Sequence, residues 1–174
     1  MEITSQQSVE MLNSLDPTDD EFVLQVDELV ENTPDDVMRD AHGDIFRFFE
    51  AHPQDDCGMP GTLVHAMEDC FPNYVAALIE SMTGMPSVNT VLMINRILNS
   101  DDTEFDLRSR LINSLRDAID NERCLPEIHD DAQRYLDRHQ PNVEQWHACE
   151  AGLARAFELD DLSFRLGDRH RYPA

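Results

Sequence analysis

The sequence predicts an all-α protein: about eight or nine helices, stacked as antiparallel pairs in a HEAT-like or irregular helical bundle. Three observations carry this. Apolar residues recur at three- and four-residue spacing along most of the chain, alternating strand-type runs are nearly absent, and the joints between periodic segments are about two to six residues long. With 174 residues, the chain is long enough to bury about two-thirds of its unfolded surface. It is therefore read as one domain over 1–174, with a flexible tail from about residue 167, and it needs no metal or disulfide staple.

Taken in order, the segment 18–32, TDDEFVLQVDELVEN, offers Thr18 as an N-cap, acids in the first turn, and a stripe of Phe22, Val26, Leu29 and Val30. The next helix, 33–52, repeats the device with Thr33 as cap, Pro34 in the first turn and Asp36 at the capping-box position. Its apolar stripe is Val37, Met38, Ala41, Ile45, Phe48 and Phe49. After a loop from Pro53 to Pro60 come helical patterns at 61–70, 72–84 and 87–100, then a long one at 102–122 and two more at 126–139 and 142–161. In the 87–100 segment, Val91, Leu92, Ile94, Ile97 and Leu98 nearly ring the helix, which makes it central and buried. Asn95 and Arg96 within it are then structural, Arg96 pairing with a carboxylate such as Glu68. Trp146 and the methionines belong to the core.

Charge narrows the function. There are 36 acids against 13 bases, a net charge of −23, and every base is Arg. The imbalance is concentrated, since residues 1–60 hold 16 acids and only 2 Arg. Such a field repels nucleic acid and anionic membrane, and it speeds encounter with a cationic partner. The polar, acidic N-terminus is the opposite of a secretory signal, no apolar run approaches the roughly 20 residues of a membrane span, and the four cysteines form no Cys-x-x-Cys pair. A soluble, reduced, cytoplasmic protein is expected. The doublet Asp-Asp occurs six times, and acids in a helix's first turn meet its positive end. Beyond that local role, Asp19, Asp20, Glu21, Asp35, Asp36, Asp55 and Asp56 are the candidates for acidic rims that would bind a basic partner.

The densest collection of reactive side chains is HPQDDCGMPGTLVHAMEDC, residues 52–70. Its His52, Cys57, His65 and Cys70 match neither the Cys-x(2–4)-Cys nor the His-x(3–5)-His spacing of a zinc site, and HAME reverses the Glu-x-x-His order of di-iron bundles. No metal is expected. A Cys57–His65 nucleophile would need an electropositive setting, and two Asp beside Cys57 oppose it. Gly-rich phosphate loops are absent and no Lys exists to complete one, so no cofactor is expected. The segment reads instead as a turn built on Gly58, Pro60 and Gly61, with the next helix starting at Gly61 or Thr62 and facing Leu63, Met67 and Cys70 inward. His65 and Glu68 share a face at i, i+3, and truncating either is expected to cost roughly 1–3 kcal/mol, as for an orphaned buried partner.

Residues 48–100 also carry a resemblance. The motifs are Phe48-Phe49, the turn Gly58-Met59-Pro60-Gly61, Leu63-Val64-His65 with Glu68, Pro86-Ser87-Val88-Asn89-Thr90, and Asn95-Arg96-Ile97-Leu98-Asn99. In these the chain resembles small bacterial immunity-type proteins of polymorphic toxin and contact-dependent inhibition systems. The resemblance implies a small, acidic, cytosolic helical protein that occludes a cognate toxin C-terminal domain, without catalysis. A basic, nuclease-like toxin fits the charge, because a domain that holds phosphate must be cationic. Two other readings stand beside it: a non-catalytic acidic adaptor for a cationic partner, and an enzyme using His65, Glu68, Cys57 and Arg96 in one cleft. Oligomeric state is left open.

Overall fold

The computed structural model describes residues 4–58 and 61–140. The helix expected at 142–161, Trp146, Pro60 of the turn and the tail from about 167 lie outside them. Contacts divide the chain into Met1–Arg138 and His139–Ala174, and the description below concerns the first unit.

Among the described residues there are nine helices and no strand: α1 (Ser5–Ser14), α2 (Phe22–Asn32), α3 (Asp35–Asp40), α4 (His42–Ala51), α5 (Thr62–Glu68), α6 (Val75–Gly84), α7 (Val88–Leu98), α8 (Phe105–Ile119) and α9 (126–140). The all-α expectation holds. The bundle is irregular: α4 packs on α1, α6 and α7, α6 on α8, and α2 on α5, so the main contacts skip one or two helices along the chain.

The core explains why α4 and α7 sit centrally. Phe46, Phe48 and Phe49 of α4 are all buried and meet Phe22 and Tyr74, with Phe22 and Phe48 stacked at 6.3 Å between centroids and Phe46 and Tyr74 at 6.2 Å. Such aromatic contacts contribute about 0.5–1.5 kcal/mol each beyond their area. Helix α7 buries Val91, Ile94, Ile97 and Leu98 of the expected ring, together with Met93, whereas Leu92 is half-buried. It starts on a reciprocal cap, Thr90 N–H donating to the Ser87 hydroxyl at 3.1 Å and Ser87 N–H to the Thr90 hydroxyl at 2.9 Å.

Local boundaries differ from expectation in four places. Helix α2 begins at Phe22, because Thr18 turns back to Asp16, its N–H and hydroxyl both donating to Oδ1 at 2.9 and 2.7 Å. Thr33 does not cap α3: its buried hydroxyl donates backward to the Leu29 carbonyl at 2.6 Å and closes α2 instead. Pro34 takes the N-cap position, and Asp36 makes no capping-box bond. The expected single helix 33–52 is two, broken at Ala41, whose ψ of −2° ends one helix and opens the next. Helix α1 was not anticipated, although Thr4 and Gln7 form a reciprocal capping box at its start.

Candidate functional site

The loop residues 53–57 are held from α7. Asn89 donates to the Asp55 carbonyl at 2.8 Å and to Cys57 Sγ at 3.5 Å, and Val88 N–H donates to the Pro53 carbonyl at 2.9 Å. Cys57 (φ 50°) and Gly58 (φ 84°) both occupy the left-handed region, and a Cβ at Gly61 would run into the Cys57 carbonyl. Glycine at 58 and 61 is therefore a requirement of the turn. Cys57 is buried; that burial, with Asp55 and Asp56 nearby, pushes its thiol up to about 12 against the opposing bond from Asn89. Its surroundings favour the neutral thiol over the thiolate a nucleophile needs.

One turn further, α5 carries His65 and Glu68, and Glu68 meets α7. Arg96 binds Glu68 through two bonds, Nε to Oε1 and Nη2 to Oε2, the second at 2.8 Å, and His65 Nδ1 lies 3.1 Å from Glu68 Oε2. Burial alone would raise the Glu68 carboxyl, but the bonds from Arg96 and His65 outweigh it and hold it below its ordinary value. The two helices are thus clamped by a forked ion pair. Its depth differs from expectation, because side-chain exposure is 26% for Glu68, 35% for Arg96 and 55% for His65. His65 stands at the surface and leaves little behind if removed. Asn95, next to Arg96 in the sequence, is buried within α7. Cys57 belongs to the loop held by Asn89 and lines a different cleft from Glu68 and Arg96, so the four residues of the enzyme reading do not share one cleft.

Glu68 and Arg96 line a cleft of about 210 Å³ with Phe71, Tyr74 and Ile97. That is smaller than the roughly 300 Å³ at which small-molecule sites begin. Its cation is already committed to Glu68. No three His, Cys, Asp or Glu side chains come together in a metal-holding arrangement among the described residues.

The acids fall into two places. Asp19, Asp55 and Asp56 line one open cleft of about 380 Å³ with Phe22 and Val23, at the N-terminal end of α2. Asp35 lines another, about 430 Å³, at the far end of α2 with Arg39, His65, Asp69 and Cys70. An 11-residue helix separates them, about 16 Å. The seven acids therefore do not make one rim. Asp20 and Glu21 are exposed beside the first cleft, Asp36 beside the second. Several also shape the chain: Asp19 Oδ1 accepts from Glu21 N–H at 2.9 Å, and Asp56 Oδ1 from Gly58 N–H at 3.0 Å. None of Asp19, Asp20, Glu21, Asp35, Asp36 and Asp56 is in an ion pair with a described residue, whereas Asp131 pairs with Arg134 at 2.9 Å and Asp130 lies 3.4 Å from His129. No doublet position in the sequence distinguishes compensated acids from uncompensated ones. Residues 1–38 hold no Arg or Lys, which leaves Asp19, Asp20 and Glu21 without a basic residue nearby in the sequence.

No helix among the described residues is long and apolar enough to cross a membrane. No protein-family model, curated protein or solved structure matches the chain.

Proposed function

We propose that the chain is an immunity protein that binds and neutralises a cognate, basic bacterial toxin domain in the cytoplasm by covering it. The observation that carries this reading is the set of exposed carboxylates at both ends of α2, Asp19, Asp20, Glu21, Asp35, Asp36 and Asp56, that are in no ion pair with a described residue. Uncompensated charge repels itself within the fold, so its benefit lies in encounter: electrostatic steering raises association rates toward 10⁸–10⁹ M⁻¹s⁻¹. Fast capture is what an inhibitor needs when a few free toxin molecules are lethal. The motifs over 48–100 support the same reading by resemblance; they build the α5–α7 clamp and the turn, and their Gly58 and His65 also line the acidic clefts.

The reading expects a toxic C-terminal domain to be encoded immediately upstream of this gene, and the test is co-expression with it. Restored growth together with a purified one-to-one complex is the expected result. Continued killing with the chain folded and abundant would reject the reading. Binding to a cationic housekeeping protein without rescue would favour the adaptor.

A further inference from the structure

Helix α2 buries Phe22, Val26 and Leu29, and Val23, Leu24, Glu28 and Glu31 fall on its other side, exposed. Val23 is 51% and Leu24 69% exposed, and with Phe71 they are the large apolar side chains left in solvent among the described residues. Two of the three are thus adjacent on one helix. Val23 also touches the 52–58 turn, within 3.8 Å of where a Gly58 side chain would begin, and it lines the open cleft that holds Asp19, Asp55 and Asp56. The result is a small apolar step with carboxylates before it, beside it and along the helix after it.

We propose that this face of α2 is a docking surface for a cationic protein segment that presents an apolar side chain between basic ones, the apolar residue seating on Val23 and Leu24 and the basic residues meeting Asp19, Asp55, Asp56 and Glu28. An apolar centre inside a charged rim is the anatomy of a protein interface, in which the centre sets residence time and the rim sets encounter. Charge complementarity selects the occupant. A second copy of this chain would bring the same carboxylates face to face, and like-charge juxtaposition opposes it. The proposal deepens the immunity reading and rests on it only for the partner's identity.

The test uses the full chain, isotope-labelled, titrated with a synthetic helical peptide of Leu and Lys whose Leu residues lie along one side. Resonances of 19–31 and 54–58 should shift selectively, and the affinity should fall with added salt. The double substitution Val23→Gln and Leu24→Gln, made at exposed positions with a good helix former, should weaken binding tenfold or more. Phe71→Gln should leave it unchanged. Shifts centred elsewhere, an affinity indifferent to the α2 substitutions, or no binding would overturn the proposal. So would a dimeric free chain that the α2 substitutions turn monomeric, since the occupant would then be a second copy. None of these outcomes depends on the toxin, so failure of the rescue experiment is read separately.

Discussion

At the scale of single residues, Glu68 is the joint between α5 and α7, and its environment has a pH signature. Arg96 and His65 depress its folded-state pKa below the unfolded value, so its contribution to stability is complete above the unfolded pKa and is lost as pH falls through the folded one. Glu68→Gln should therefore cost about 1–2 kcal/mol at pH 7, and the gap to wild type should narrow as pH falls below the ordinary carboxylate range in denaturant titrations. A gap that stays constant with falling pH would assign the loss to shape rather than charge. His65→Ala should cost under about 0.5 kcal/mol, as for a surface substitution. Pairing among these residues was legible from the i, i+3 spacing and from the apolar ring of α7. Their depth was not, because Arg96 lies where that ring is open to solvent. Cys57 makes a second residue-scale test. With its thiol pushed up to about 12 by burial, it should resist alkylation at pH 8 in the native protein and react on unfolding, as followed by peptide mass mapping. Rapid native labelling would reopen the enzyme reading.

Among elements, the 52–61 loop depends on α7 more than on its own sequence. Asn89→Ala removes the amide donor to the half-buried Asp55 carbonyl and should cost about 1 kcal/mol, the ordinary net worth of such a bond. Amide exchange should then quicken across 54–58 and stay unchanged in α8. Gly61→Ala should cost about 1–3 kcal/mol or more, because the added methyl must displace backbone at the Cys57 carbonyl. Unaltered stability in both variants would mean that the loop is not anchored as described. The turn's glycines could be read from the sequence, whereas Asn89 could not, since nothing local marks a first-turn polar residue as reaching 34 positions back. Helix identities followed from periodicity, but their edges followed side-chain bonds that compete with caps. Thr18 and Thr33 both have the right chemistry for an N-cap, and each spends its hydroxyl on the preceding segment. Helix α1 buries only Ser8 and Leu12, too narrow a stripe to stand out, and its Thr4–Gln7 box was the available clue.

For the whole molecule, the governing quantity is where the charge of −23 is left uncompensated. Composition located most of it in the first 60 residues, and the fold then divided it between the two ends of α2. The C-terminal doublet Asp130/Asp131 has His129 and Arg134 beside it, a distinction that depends on side-chain placement rather than on sequence spacing. Two sets of equal formal charge can therefore be compared: Asp19 and Asp20 against Asp130 and Asp131, each changed to Asn. Stopped-flow association with an inactivated form of the basic toxin domain that the proposed function calls for is the most direct measurement. Wild-type association should slow steeply as salt shortens the Debye length toward about 8 Å, and the first set should slow it several-fold more than the second while dissociation changes less. A salt-insensitive rate, or one that the first set leaves unchanged, would contradict neutralisation through this acidic face.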